Sequence, residues 1–437
     1  MNDHRDPASI AGELARLSHS RLDAAEIAAF EIDGRRPVAV AQPLDSDEVC
    51  HWLKECNSQK AVVNIWGKGQ HQQLGGRIAA HDLALSTRAL DKIVEYEPEN
   101  LTVSVQSGVT LGTLQLLAAP HKQFLPLNPP LASNCTLGGI FAANAYGSFA
   151  HRYGTARDYL LGAKVVTADG QEIKFGGKTV KNVAGYDLGK LYIGSMGTLG
   201  VLTELTCKLQ PKPPVVIRVS ARIEFGARLA EILTRINQTS LPVCAVTLHG
   251  EMPQPSAKTE FDLRLSVEEF SGDSNAFRKK IAELLSGLDV QISATDPVMH
   301  PDEYAEHFFA CTPQGVLTRW NLPKSAIVQA IAALRESATA GGQEVQMFSY
   351  PGRGVVCLKI PSVSEGDIFG IKSILATWRE MAHSLGGSMQ VERSPVSLKS
   401  DFDVWGVKEP QLNWYRKIKK EFDPNGVLAG GRFVGGI

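Results

Sequence analysis

The residues with the clearest chemical potential are glycines, gathered in three clusters. Trp66-Gly67-Lys68-Gly69-Gln70-His71-Gln72-Gln73-Leu74-Gly75-Gly76 follows a short apolar run directly. Glycines there permit positive φ and let successive backbone N–H groups converge on an anion. Thr136-Leu137-Gly138-Gly139 opens a segment of small residues running through Asn144 to Gly147. A hydroxyl and two glycines at a helix start suit close approach by a flat ligand or phosphate, and suit close helix–strand packing equally well. The third cluster begins at Gly176-Gly177-Lys178-Thr179 and runs through Lys181, Asn182, Gly185 and Tyr186 to Gly194-Ser195-Met196-Gly197-Thr198-Leu199-Gly200. Two nucleotide motifs are excluded. A G-x-G-x-x-G fingerprint needs glycine where Gln72 stands, and a Walker A loop needs glycine where Glu172 stands.

Other chemistry is sparse. The seven cysteines (Cys50, Cys56, Cys135, Cys207, Cys244, Cys311 and Cys357) include no C-x-x-C pair, which excludes a zinc ribbon and a ferredoxin-type cluster run. His249-Gly250-Glu251 and His383 lack companion ligands, so no metal is expected. With 45 Lys plus Arg against 46 Asp plus Glu, the chain is not built to neutralise a nucleic-acid backbone. The polar first thirty residues and the lack of ~18 consecutive apolar residues predict a cytoplasmic chain without a membrane span.

The elements that must carry these clusters follow from short-range pattern. Residues 8–30 alternate as an amphipathic helix. Asp45-Ser46-Asp47-Glu48 marks a helix start. Residues 61–66, 83–86 and 101–106 read as strands and 110–118 as a short helix. Asp169-Gly170 predicts a hairpin between strands at 163–168 and 171–175. A long strand at 201–210 ends at Pro211-Lys212-Pro213-Pro214, the clearest domain boundary. Residues 215–400 then repeat the order strand, helix, two strands, helix, strand. Two ferredoxin-like βαββαβ units building one antiparallel sheet with helices on one face are expected. A last helix spans 410–422, before the glycine-rich tail.

In order, spacing and strand context, the three clusters resemble the FAD-binding domain of the vanillyl-alcohol oxidase, or PCMH, type over about residues 30–213. The resemblance is closest to the smaller FAD-binding subunits of bacterial glycolate oxidases. It is carried by Phe124–Pro130, Thr136–Gly139, Tyr153–Asp158, Lys181–Leu188, Gly194–Glu204 and Phe422–Gly426. The sequence departs from the pattern at Gln70, Asn128 and Ala429-Gly430. The implied fold class is α+β. A helical lead-in (1–30) precedes a two-subdomain PCMH-type FAD-binding domain (31–213), an antiparallel-sheet cap (214–405) and a C-terminal segment returning to the FAD domain (406–437).

The resemblance implies non-covalent FAD. Its implied contacts are Gly67, Lys68, Gly69, Gln70, His71, Gly75, Pro129, Thr136, Leu137, Gly138, Gly139, Asn144, Asn182, Gly185, Gly197, Gly200 and Val201. Covalent attachment is not expected, because the histidine of covalent relatives aligns with Gln70. Oxidising a 2-hydroxy acid requires a cation for the carboxylate and a base facing the flavin. Lys181 and Tyr186 are implied for these roles, with Arg353, or Arg319, reaching in from the cap. The implied activity is FAD-dependent oxidation of a small 2-hydroxy acid. Electrons would pass to an iron–sulfur subunit and a second flavin subunit, with the chain peripheral at the inner membrane through them. A stand-alone FAD-dependent dehydrogenase and a non-catalytic structural subunit are the alternatives. A bulky β-branched residue at Gly138 is expected to expel flavin while the chain still folds.

Overall fold

In the chain's first half, apolar runs too short for helices pair into two small sheets. The computed structural model describes residues 23–177, 188–252, 259–295, 303–340 and 344–437. Most of the expected lead-in helix lies outside them; its described end is a single helix, Ala24–Ala28, capped by Asp23. Strands β1 (Ala39–Ala41), β2 (Val63–Trp66) and β3 (Leu83–Ser86) form a parallel sheet in the order β1-β3-β2. The Ser46–Gln59 helix provides the crossover that parallel strands need. Its start is where the carboxylates indicate, with Asp45 accepting from the Glu48 N–H at 2.9 Å. Its Val49, Trp52, Leu53 and Cys56 pack on β1, β2 and β3.

Strands β4 (Ile93–Glu97), β5 (Thr102–Gln106), β7 (Leu160–Val166), β8 (Glu172–Gly176) and β9 (Val201–Lys208) form a second, antiparallel sheet ordered β4-β5-β9-β7-β8. Strand β6 (Gln123–Phe124) pairs separately with β10 (Gln210–Pro211). Gly170, at φ +75°, turns the β7–β8 hairpin as Asp169-Gly170 predicts. Strand β4 was not legible. Its residues are exposed or half-buried, so no alternation marks it, and only pairing with β5 defines it.

The remaining strands are β11 (Val215–Glu224), β12 (Val243–Met252), β13 (Glu260–Glu269), β14 (Val290–Thr295), β15 (Val316–Asn321), β16 (Val345–Tyr350), β17 (Val355–Ile360) and β18 (Ser388–Arg393). They form one eight-stranded sheet ordered β14-β11-β13-β12-β16-β17-β15-β18, every neighbour antiparallel. Four helices (Ala227–Gln238, Ser274–Leu284, Ile327–Ala340 and Ile368–Ser384) bury their apolar faces in one core with this sheet. The two faces separate by the strand period of two. On β15, Val316 and Trp320 enter that core, whereas Leu317 faces a second cluster with Phe308, Phe348 and Tyr350.

That second face meets the first half of the chain. Glu268 of β13, only 2% exposed, accepts a short hydrogen bond from the Tyr153 hydroxyl and pairs with Arg152 Nε at 2.9 Å. Burial raises the Glu268 pKa, against the pull of Tyr153 and Arg152. The chain's end also returns: Val63 donates to Val427 O at 2.7 Å and Ala429 donates to Val63 O at 2.9 Å, extending the parallel sheet beside β2. Removing one partner of a buried charge pair strands the other. Glu268→Ala is therefore expected to lower stability by about 3 kcal/mol, the low end for such pairs because Arg152 keeps some solvent access. A urea midpoint equal to that of the parent chain would refute the link.

Candidate functional site

The first glycine cluster leaves β2 as a loop without regular structure. Gly69 and Gly75 take positive φ, +83° and +99°. A Cβ on Gly75 would lie 2.4 Å from Arg432 O, so the loop and the returning chain end touch backbone to backbone. The loop's own Gln72 and two remote side chains hold it open. Gln72 Nε2 donates to Ile65 O at 2.9 Å, Lys399 Nζ to Gln73 O at 2.8 Å and Arg432 Nη2 to His71 O at 2.6 Å. The N–H groups of Lys68, Gly69, Gln70 and His71 make no hydrogen bond within the described protein. They are available donors along one side of a narrow cavity.

The second and third clusters close that cavity. Thr136 caps the Leu137–Ala143 helix, accepting from the Gly139 N–H at 3.2 Å. Leu137 and Gly138 donate to Val109 O and Ser107 O, both at 2.8 Å. This turn therefore contributes closeness rather than donors. The expectation for Gly138 needs correcting. Its Cβ would meet Ser107 Cβ at 2.8 Å and Ser107 O at 3.0 Å, so bulk there would strain the packing itself. Gly139 is the position facing space: a Cβ there meets only Thr136 Oγ1, at 3.1 Å. Gly197 and Gly200 line the opposite wall, braced by Lys419, whose Nζ donates to Thr198 O, Leu428 O and Asp423.

The narrow cavity opens at His71, Ala143, Ser195 and Met196 into a cleft of about 470 Å³ between the two halves. The sheet's second face supplies its polar wall. Leu317, Arg319 and Asn321 alternate along β15, facing Gln390 and Glu392 on β18. Leu317 pairs with Arg393 and Thr318 with Val391, so Glu392 is an extra residue in a bulge. That bulge lets the consecutive Glu392 and Arg393 both line the cleft. Arg319 pairs with Glu392 and lies over the Tyr146 ring, 5.2 Å from its centroid. Burial opposes its charge, but Glu392, Cys357 and Tyr146 outweigh it and hold the guanidinium's pKa well above the ordinary value. Arg319 Nη1 is inaccessible and has no hydrogen-bond partner among the described residues. Arg393 Nη2 reaches Gln70 O at 3.4 Å, linking this wall to the glycine loop. Burial, then Arg393, pushes the His71 pKa down to about 4, and its Nε2 is inaccessible and unpartnered.

The structure distributes the candidate residues unevenly. Gly67, Lys68, Gly69, Gln70, His71, Thr136, Gly138, Gly139, Gly197 and Gly200 line the narrow cavity, and Asn144 the larger cleft. Leu137 and Val201 are core residues. Gly75 acts through Arg432, and Pro129 lines a neighbouring cavity, whereas Pro130 also reaches the cleft. Lys181, Asn182, Gly185 and Tyr186 lie outside the described residues. Arg353 is exposed in the turn between β16 and β17 and is not among the cleft-lining residues. Sequence reading passed over Glu392, Arg393, Ser195 and Arg432. For Glu392 and Arg393 the only signal was two adjacent charges closing an alternating strand. Among the described residues, no group of three or more His, Cys, Asp or Glu side chains is placed to hold a metal ion.

Two regions of the chain match known families: residues 37–176 the FAD binding domain, and residues 316–433 the C-terminal domain of FAD linked oxidases. The chain is 27% identical over 430 residues to glycolate oxidase subunit GlcD of Bacillus subtilis, covering 91% of this chain and 88% of that one. It is 28% identical over 419 residues to a D-lactate dehydrogenase of Archaeoglobus fulgidus, covering 90% and 91%. Glycolate oxidase subunit GlcE of Escherichia coli matches at 32% over 188 residues, 43% of this chain and 53% of that one. The class is therefore that of FAD-dependent oxidoreductases. Within it, the chain carries an FAD binding domain followed by the C-terminal domain of FAD linked oxidases.

The residues fit that cofactor. A loop of free N–H donors flanked by glycines suits a diphosphate, and a wider cleft adjoining it suits a flat ring system. Gly139→Leu fills the cavity with little protein in the way. It is expected to fold normally by circular dichroism yet purify without the flavin absorbance of the parent; full FAD content would refute the assignment. His71 supplies a second check. The folded imidazole stays neutral down to about 4, whereas the unfolded one takes a proton near 6.5. Between those values the unfolded chain binds the additional proton, so stability falls with pH. FAD-free His71→Asn is expected to lose less Tm than the parent from pH 6.5 to 4. Equal slopes would show that His71 is not held neutral.

Proposed function

We propose that this protein oxidises a small 2-hydroxy acid to the 2-oxo acid and passes the electrons to a partner protein. The observation that carries the proposal is the lining of one cleft by Arg319, Arg393 and the neutral His71, with His71 at the mouth of the glycine-lined cavity. Bound FAD supplies the two-electron acceptor for the hydride leaving C2. The chain's own residues supply the rest. Arg393, with Arg319 beside it in the cleft wall, meets the substrate carboxylate; a guanidinium fork suits a carboxylate. His71 lines the cleft and is uncharged at neutral pH; its Nε2, enclosed by protein here, must turn toward the substrate to accept the hydroxyl proton as the C2–H bond breaks. Glu392 holds Arg319 in place and keeps the site's net charge down. Lys181 and Tyr186 enter this reading through the family resemblance alone.

Names of relatives support the substrate class: glycolate oxidase subunits, D-lactate dehydrogenases and a D-2-hydroxyglutarate dehydrogenase of Stutzerimonas stutzeri. The likeness to two different glycolate oxidase subunits supports assembly with a second flavin subunit, and we extend that to an iron–sulfur subunit. We read the chain as a lead-in (1–30), FAD domain (31–213), cap (214–405) and returning segment (406–437). We read the cap as two ferredoxin-like units, supported by the mirrored strand order β14-β11-β13-β12 and β16-β17-β15-β18. No helix among the described residues is long and apolar enough to cross a membrane.

The test is anaerobic titration of the flavin-loaded protein with glycolate, D-lactate and D-2-hydroxyglutarate. One of them is expected to bleach the visible flavin band. Arg393→Met is expected to raise KM roughly tenfold or more, matching the loss of a charged hydrogen bond worth about 1.5–3 kcal/mol. A colourless protein that takes up no added FAD would overturn the reading. Bleaching followed by rapid reoxidation in air without partners would favour a stand-alone enzyme instead.

A further inference from the structure

Arg432 is a buried cation lining the narrow cavity, and no carboxylate among the described residues forms an ion pair with it. Its residue is 4% exposed. Nη1 donates to Gln72 Oε1 and Nη2 to His71 O at 2.6 Å, both neutral acceptors. Its Nε is inaccessible and has no partner. No ion pair of Arg432 occurs among the described residues; Asp33, the carboxylate acting on it, is bound instead by Lys399 at 3.0 Å. Burial pushes the Arg432 pKa down to about 10, the direction expected of a charge without a counterion.

Placement makes the unsatisfied charge specific. Arg432 lines the cavity together with Gly67, Gly69 and Gly139. Its carbonyl accepts from the Gly76 N–H at 2.8 Å and from Trp405 Nε1 at 3.1 Å, fixing the residue on both sides. Lys68, the other cation in the wall, is exposed and already solvated. An interior guanidinium beside a row of free N–H donors suits the two negative charges of a diphosphate.

We propose that Arg432 is a ligand of the FAD diphosphate, so that the last residues of the chain complete a site begun by the loop after β2. The inference rests on FAD being held in this cavity. The group supplies the missing anion, and Arg432 in turn occupies the His71 carbonyl.

The test uses the full chain freed of flavin and titrated with FAD, riboflavin and inorganic pyrophosphate. For Arg432→Gln, FAD affinity is expected to fall on the order of tenfold to hundredfold, the size of a charge-assisted hydrogen bond. Riboflavin affinity should stay within roughly twofold, because riboflavin lacks the phosphates. Arg432→Lys should recover part of the FAD affinity. Pyrophosphate should raise the Tm of the parent chain, compete with FAD, and leave Arg432→Gln unmoved. Equal losses for FAD and riboflavin would overturn the inference, leaving Arg432 a structural brace. If Arg432→Gln does not fold, the parent chain decides: no Tm rise with pyrophosphate overturns the inference. A parent chain that binds neither FAD nor riboflavin would instead overturn the cavity's assignment to flavin.

Discussion

The site depends on keeping a glycine loop open without secondary structure. Residues 67–76 belong to no strand or helix, and a loop of this kind would ordinarily collapse onto its own carbonyls. Side chains from three distant points prevent that. Lys399 takes Gln73 O, Arg432 takes His71 O, and Arg393 approaches Gln70 O. Asp33 supports the arrangement, accepting from the Ile78 N–H at 3.2 Å and from Lys399 at 3.0 Å. These carbonyls are thus occupied by side chains, while the N–H groups of residues 68–71, which line the cavity, keep no partner within the described protein. Pre-organised donors of this kind cost little to align when an anion arrives.

The same arrangement couples the two halves of the molecule. Arg393 ends the last strand of the eight-stranded sheet and Lys399 the short helix Val396–Lys399 after it, so the loop's contacts tie it to that half of the molecule. Burial of Lys399 lowers its pKa, against the pull of Asp33. Buried pairs like this one contribute less to stability than to specificity of arrangement, because desolvation offsets much of the attraction. The apolar contacts do the larger share. Leu317, Phe348 and Tyr350 on the sheet's second face pack with Phe308 and Phe309, and with Tyr146 of the first half.

A strand period of two then decides what the cleft contains. One face of β15 and β18 enters the helix-covered core through Val316, Trp320, Met389 and Val391. The opposite positions, Arg319, Asn321, Gln390 and Glu392, are left to the cleft. The bulge at Glu392 breaks the alternation and brings Arg393 to the same side. Without it Arg393 would point with Val391 into the apolar core, where its charge would be strongly unfavourable. A backbone irregularity therefore supplies one of the two cations on which the proposed chemistry relies.

Much of this was legible from local pattern. Capping carboxylates marked the Ser46–Gln59 helix, Asp169-Gly170 marked its hairpin, and the alternating runs after Pro214 marked the strands of the eight-stranded sheet. Composition and glycine spacing singled out the three clusters, because backbone freedom and the absence of a Cβ are properties of the residue itself. The chemistry facing those clusters was not legible. Arg353 was favoured over Arg319 since a turn between glycines looked open, yet Arg353 is exposed and outside the cleft lining, whereas Arg319 is part of it. Gly138 and Gly139 are equivalent in sequence, and only packing against Ser107 separates them. Arg432 meets the loop from about 360 residues away. Local sequence determines what a segment is able to form. Which charge is buried, which glycine faces space and which carbonyl is taken depend on contacts between segments that have no proximity in the chain.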